Sequence, residues 1–363
     1  MNKTSIKKYH ILMHGQAYQE VGNYLQALQS NSIQPGKYLL DKLRAIDVGQ
    51  ISVDSFLECL LNTKRPQIFA ESAVNGNGED WNALELKLLG AIGITVEVDV
   101  YDDGKHHNPV PHAKPFLAYL LFSAGALLRN GQQQIPVDWD IVGEDGVIDR
   151  ERYYELYRCR LLPLMLHANE IAGGAGKQAF ITIPGLGCGQ FAGKFMGWLG
   201  EMLEQALKRL LSEHHRELGN IRAVYFDPYQ ECVNQRYEIG HLSFMVRPLT
   251  QGNQNRPQLC PPVTYQEEGD DFSQCILFSV VAWDHVSWPG NDFYIGARAT
   301  DDGVKAAATS SMAALTGFTG CYNKICETYD PPLPYRNWDE VVRKNSLQLE
   351  LEDRVKIMPS VVQ

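Results

Sequence analysis

The 363-residue chain lacks three features that would have narrowed its function at once. It has no basic surplus. Its 33 Lys and Arg stand against 43 Asp and Glu, a net charge of −10, whereas a nucleic-acid partner demands a cationic face. The one basic cluster, Lys208, Arg209, His214, His215 and Arg216, falls near a helix end, where cations complement the dipole. The chain also has no apolar run of ~18 residues, so no membrane-spanning helix is expected. Its longest run, PFLAYLLFSAGALL (115–128), reads as a buried helix. Finally, there is no paired cysteine spacing. Cys59, Cys159, Cys188, Cys232, Cys260, Cys275, Cys321 and Cys326 are scattered, which reads as reduced thiols rather than a disulfide frame. The opening MNKTSIKKYHILMHG has no apolar core of the signal-peptide kind. The expectation is a soluble intracellular protein with neither nucleic acid nor membrane as partner.

What is present is an alternation of strand and helix patterns. Residues 1–65 read as a helical extension, with helical spacing in YQEVGNYLQALQ, KYLLDKLRAI and VDSFLECLL. QIFAESAV (67–74) reads as a strand, WNALELKLLGAIG as a helix, and ITVEVDVYDDG as a strand. FLAYLLFSAGALLRN and RERYYELYRCRLLPLMLHANEIAG read as helices, joined by a polar linker at 131–148. QAFITIP (178–184) is a strand, followed by the loop GLGCGQFAG and a long helix from KFMGWLG onward. IRAVYFD, HLSFMV and QCILFSVVAWD are further strands, and DDGVKAAATSSMAALTG is a helix. This order predicts an α/β fold, a three-layer α/β/α sandwich with a mixed sheet. The expected division is 1–65, 66–330 for the ligand-binding domain, and a C-terminal segment at 331–363. The polar stretch TQGNQNRPQLCPP (250–262) is expected to be a mobile loop.

The loop after QAFITIP sits where an open α/β sheet binds its ligand, between a strand and a helix. Gly185, Gly187, Gly189 and Gly193 let backbone approach a ligand closely, and amides at a following helix start favour phosphate. A tight turn without a ligand is the alternative. A Walker A loop is excluded, because Cys188 stands where its first glycine belongs and Phe195 follows Lys194 in place of Ser or Thr. The dinucleotide pattern fits in part, as Gly187-x-Gly189-x-x-Ala192, but Asp227 comes too late for its ribose-binding acid. Cys188 has no nucleophile context and reads as packing. His106, His107 and His112 lie in a proline-rich loop without a fourth zinc ligand.

A second site signal is WDHVSWPGNDFYIGARATDDG (283–303). Asp284 ends a strand, Asp292 sits in a Gly-Asn turn, and Asp301 and Asp302 open a helix. Strand ends and helix starts meet at one rim of such a sheet. The alternatives are helix capping for Asp301 or Asp302 and a turn role for Asp292. Trp283, Trp288, Phe293 and Tyr294 are available to stack on a base or to fill the core.

Taken together, IPGLGCGQFAG, the earlier AVNGNG (73–78), and the spacing of Asp284, Asp292 and Asp302 within GND and TDDGVKAAAT resemble the macrodomains. The likeness is to the arginine-specific ADP-ribosyl hydrolases among them, a type represented in Legionella effectors, and it covers roughly 66–320. It implies ADP-ribose binding by Asn75, Gly185, Gly187, Cys188, Gly189, Gln190, Phe191, Gly193 and Asn291. It implies catalysis by Asp284, Asp292 and Asp302, without metal or other cofactor. The substrate it implies is an ADP-ribosylated protein in a host cytosol, with ubiquitin as one candidate. The chemistry suits acids: the guanidinium is planar and cationic, the transition state is oxocarbenium-like, and a water needs a base. TDDG also resembles the metal motif of all-helical ADP-ribosyl-arginine hydrolases, but the strands here argue against carrying that metal over. A non-catalytic ADP-ribose reader and a nicotinamide-dependent oxidoreductase remain as alternatives.

Overall fold

The computed structural model describes residues 7–253, 256–351 and 354–359, and of residue 295 the backbone alone. Two expectations fall partly outside that range: the signal-peptide reading of residues 1–6 and the mobility of the loop at Gln254 and Asn255. Nine strands form the main sheet: β1 (Tyr9–Met13), β2 (Gly93–Asp102), β3 (Pro111–Ala124), β4 (Gln178–Pro184), β5 (Ile221–Asp227), β6 (Gln235–Ile239), β7 (Leu242–Val246), β8 (Cys275–Trp283) and β9 (Val355–Ile357). Their spatial order is β9-β1-β2-β3-β8-β4-β5-β7-β6. From β3 to β7 neighbouring strands are parallel, while β1–β2, β2–β3 and β6–β7 pair antiparallel. The mixed sheet is thus as expected.

Helices cover both faces. On one side pack α1 (Gly15–Gln29), α2 (Lys37–Leu43), α3 (Val53–Leu61) and α4 (Ala83–Gly90). With them lie α7 (Asp301–Ala308), α8 (Ser311–Thr316) and α9 (Trp338–Lys344). On the other pack α5 (Arg150–Gly174) and α6 (Leu199–His214). Alternate residues of a strand feed the two cores, as β1 illustrates: Tyr9, Ile11 and Met13 point into one and Leu12 into the other. This is the three-layer sandwich the element order predicts.

Several elements differ from their sequence pattern. The run at 115–128 is not a helix but most of β3. Seven of its residues, Ala118–Ala124, lie in register against Leu277–Trp283 of β8. A strand covered by helices on both faces loses its polar alternation, so its apolar run cannot be told from a buried helix by period alone. The segment before residue 66 is not helical throughout, because Tyr9–Met13 is a strand within the sheet. QIFAESAV is no strand; it holds a single helical turn, Ala70–Ala73. The helix after the glycine loop begins at Leu199 rather than Lys194, behind a 3-10 segment, Gln190–Phe195. The helix expected at 301–317 breaks between Ala308 and Ser311. Among the described residues no helix is long and apolar enough to cross a membrane.

Candidate active site

The C-terminal ends of β3, β8, β4 and β5 open into one cleft of about 860 Å3. Each strand hands over to a different wall: β3 to Gly125, β8 to Asp284, β4 to Gly185–Phe191, and β5 to Asp227. This is the rim where open α/β sheets place their ligands.

The glycine loop owes its shape to two close approaches. Gly187 has φ +78°, and a Cβ there would lie 2.6 Å from the Tyr157 hydroxyl. A Cβ on Gly125 would lie 2.4 Å from the Gly187 amide nitrogen. Tyr157 on α5 fastens this crossing: its hydroxyl donates to the Leu186 carbonyl at 2.6 Å and accepts from the Ala126 amide at 3.1 Å. Gly189 is different. A Cβ there would meet nothing within 4 Å, so its backbone lies open to the cleft it lines. The absence of a side chain at 189 therefore serves access rather than packing.

Asp284 follows β8 directly. Its Oδ1 accepts from the amides of Val286 (2.8 Å) and Ser287 (2.6 Å), which fixes the rotamer of a side chain that lines the cleft. Its Oδ2 has no protein donor among the described residues. Asp302 also lines the cleft, but both its oxygens are occupied: they accept from Gly290 (2.6 Å) and Asn291 (2.8 Å) amides. It pins the Pro-Gly turn to the start of α7. Burial pushes its carboxyl well above the usual carboxylate range, against those two amides. Asn291 lines the cleft as well, with its side-chain amide engaged by the backbone of Ile68.

Asp292 is buried and does not line the cleft. Neither oxygen closes a hydrogen bond of good geometry, and the Thr300 amide and hydroxyl are the donors that face it. Burial raises its carboxyl. Asp301 turns out to line the cleft. It is the first helical residue and not the N-cap, which is Thr300. Instead it accepts from the Ala282 amide at 3.3 Å and faces Lys305 at 3.6 Å. Lys305 is buried and donates to Gln258 (2.8 Å), Ser279 (2.9 Å) and the Val280 carbonyl (2.5 Å).

Of the other expected ligand residues, Gly185, Gly187, Gly189, Gln190 and Phe191 line the cleft, while Asn75, Cys188 and Gly193 do not. The Asn75 amide donates to Asp80, which ties up the 75–81 turn. Burial pushes the Cys188 thiol well up, so it is no ready thiolate. Gly193 holds a φ of +55°. Trp283 lines the cleft, whereas Trp288, Phe293 and Tyr294 belong to the core. Among the described residues no three His, Cys, Asp or Glu side chains group as metal ligands.

The pattern overlooked three supports. Asp227 ends β5 as Asp284 follows β8, and burial lifts its carboxyl to about 6 despite amides donated by Tyr229 and Leu249. Its strand-end position was the available signal. Behind Asp284 lies a buried cluster: Arg160 on α5 pairs with Asp138 (2.8 Å), and Asp138 faces His285 Nε2 at 3.2 Å. Burial alone would raise Asp138, but Arg160 and His285 hold it well below the usual range. Lys64, just after α3, is also buried. It donates to the His285 carbonyl at 2.6 Å and lies 4.0 Å from the Trp283 ring centroid. Burial lowers its ammonium to about 7, against the pull of Asp284. No local spacing announces the last two, because the partners lie from 22 to 221 residues apart.

The cleft is rich in acid. Glu71, Asp227, Asp284, Asp301 and Asp302 line it against Lys105 and Arg298, and Arg298 is already paired with Asp102 at 3.0 Å. Open loop backbone beside surplus carboxylate suits a ligand that is anionic at one end and cationic at the other.

No curated protein matches the chain. A family model, described as macrodomain effector MavL, matches residues 9–335. That match extends beyond the resemblance at 66–320 to β1 and the helices α1–α3. Over nine-tenths of its length, then, the chain belongs to the MavL macrodomain effector family, whose activity class is ADP-ribose binding or hydrolysis.

Proposed function

We propose that the cleft hydrolyses the N-glycosidic bond between ADP-ribose and an arginine side chain of a protein. The observation that carries this reading is Asp284: one oxygen held by two amides, the other without a protein donor, in a cleft with more carboxylates than cations. The diphosphate lies along Gly185–Gly189, where Gly189 offers bare backbone. Asp284 faces the anomeric carbon and the attached guanidinium. As the C–N bond breaks, its electron pair goes to the guanidine nitrogen and positive charge develops on the ribose, which the carboxylate stabilises. Water adds to the anomeric carbon, and its proton passes through Asp284 to the departing guanidine. Asp302 and Asp292 act by position, holding the 290–303 turn against the cleft. ADP-ribosylated ubiquitin is one candidate substrate, and secretion into a host cytosol fits the effector family.

The test is incubation with proteins mono-ADP-ribosylated on arginine, serine or glutamate, side by side. Release of ADP-ribose from arginine alone is expected. Binding of ADP-ribose without release from any of the three would make the protein a reader, and release from serine or glutamate alone would overturn the charge argument.

A further inference from the structure

The carboxylates that line the cleft, Glu71, Asp227, Asp284, Asp301 and Asp302, differ in how many oxygens they leave to a ligand. Asp302 leaves none, since the Gly290 and Asn291 amides take both. Asp284 and Asp227 leave one each, because Oδ1 of each accepts from two amides. Asp301 also leaves one, because its Oδ2 accepts from Ala282 and faces Lys305. Among the described acids of the cleft, only Glu71 has both oxygens free of other residues' donors; its own backbone amide is the sole donor that faces them. Unlike those of Asp292, its oxygens are not sealed from solvent.

The mount of this side chain, by contrast, is held on two sides. The chain leaving α3 runs along the turn after β8. Lys64 Nζ donates to the Asp284 carbonyl at 3.4 Å, Arg65 pairs with Val286 and Trp288, and the Ile68 amide donates to Asn291 Oδ1 at 2.9 Å. On the other side the helical turn at 70–73 is tied to the chain after β3. The Gly131 amide donates to the Glu71 carbonyl at 2.8 Å, and Gln132 Nε2 to the Ser72 carbonyl at 2.7 Å. Asn130 Nδ2 donates to the Val74 carbonyl at 3.1 Å. In the sheet, β8 and β3 lie on the side of β4 away from β5. Glu71 therefore stands on Asp284's side of the glycine loop, away from Asp227. A fixed backbone carrying an unengaged carboxylate is how a recognition residue is preorganised. Burial raises the Glu71 carboxyl, and the charges of Asp284 and Asp292 add to that rise against its own amide and Arg129. A cation beside it offsets both.

Two free oxygens on one carboxylate select the cation. A carboxylate takes a guanidinium through two parallel N–H···O bonds, which needs both oxygens. Ribosylation of one terminal arginine nitrogen leaves Nε–H and an N–H of the other terminal nitrogen side by side along one edge. A serine or glutamate linkage offers no such fork.

Resting on the arginine-directed reading above, we propose that Glu71 grips this edge of the guanidinium and so selects arginine linkages, leaving the ribosylated nitrogen to Asp284.

The test reads recognition apart from turnover. With ADP-ribose bound, the affinities of the full chain and of Glu71→Gln for butylguanidine and for butylurea, its neutral isostere, are measured by ligand-observed NMR titration. The unsubstituted chain should prefer butylguanidine by about tenfold or more, and Glu71→Gln by no more than about twofold. The melting temperature and ADP-ribose affinity of Glu71→Gln should stay unchanged, while its kcat/KM on ADP-ribosyl-arginine falls by about tenfold or more. Glu71→Asp keeps the charge one methylene further back, so its preference should lie between the two, at about threefold. No preference in the unsubstituted chain, or an undiminished one in either variant, would overturn the assignment. The two readings fail differently. A chain that prefers butylguanidine through Glu71 yet releases no ADP-ribose from arginine refutes the hydrolase and leaves the grip standing. A chain that cleaves arginine linkages equally well with Glu71 or Gln at this position does the reverse.

Discussion

At the scale of single residues, the acids separate by what already occupies their oxygens. Asp284 has one oxygen free of protein donors, and Asp302 has none. Asp284→Asn should therefore lower kcat on ADP-ribosyl-arginine by ~100-fold or more while leaving ADP-ribose affinity within a few-fold. Single-turnover rates and calorimetry on the same variant check both halves. Asp302→Ala strands two buried amides, each worth about 1–3 kcal/mol when unsatisfied. Its loss of activity should come with a clear drop in denaturation midpoint, which Asp284→Asn lacks.

Asp227 has a pH signature of its own. Its folded carboxyl titrates at about 6, above the unfolded value of ~3.9. The folded state thus binds the extra proton, and this group's contribution to stability falls as pH rises from ~4 to about 6. By linkage the swing is on the order of 3 kcal/mol. Asp227→Asn should lack this swing, so its stability relative to the unsubstituted chain should improve between pH 4 and pH 7. Urea denaturation of both at those two pH values measures it.

At the scale of elements, the glycine loop holds two kinds of glycine. Gly189→Val should abolish ADP-ribose binding with little change in melting temperature, since its Cβ meets only open space. Gly187→Ala should destabilise, since it combines a φ of +78° with a Cβ 2.6 Å from Tyr157. The same scale shows how the chain leaving the N-terminal helices braces one wall of the cleft. The chain leaving α3 pairs with the turn after Asp284: Arg65 donates to the Val286 carbonyl and accepts from the Trp288 amide, both at 2.8 Å. Lys64 lies beneath that turn. Lys64→Met should slow turnover by tenfold or more and alter ADP-ribose affinity far less, because the wall proposed to hold the diphosphate is built by another element. The depressed lysine favours the folded state less as pH falls from ~10.4 towards about 7. The Met variant should therefore regain stability relative to the unsubstituted chain over that range, which denaturation at pH 7 and pH 9.5 would reveal.

At the scale of the whole molecule, one end of the sheet gathers an acidic cleft and the far end of α5 borders a basic cavity, in a chain of net charge −10. The acids in the cleft are largely engaged by amides and Lys305 rather than converging on an open centre. Chelation with EDTA should accordingly leave hydrolysis unchanged, and loss of activity restored by magnesium would mean that the carboxylates ligate a metal.

The sequence by itself determined the layered architecture, the strands at 178–184, 221–227 and 275–283, and the positions of the glycine loop and of Asp284. These signals are local: a buried run of strand length, glycines clustered after it, and an acid at its end. It left β3 looking like a helix, because burial on both faces erases the alternation that marks a strand. It left open whether Asp301 caps a helix or faces the cleft, and it did not show that both oxygens of Asp302 accept backbone amides, because each needs the position of an amide elsewhere in the chain. Only the tertiary structure brought Lys64 and Arg160 behind Asp284, Asp227 into the same cleft, and His10, Thr95 and His167 to one cavity. Those contacts join residues from tens to more than two hundred positions apart, and no spacing rule encodes such distances. They follow from the order of strands in the sheet, which is set by the packing of the whole molecule.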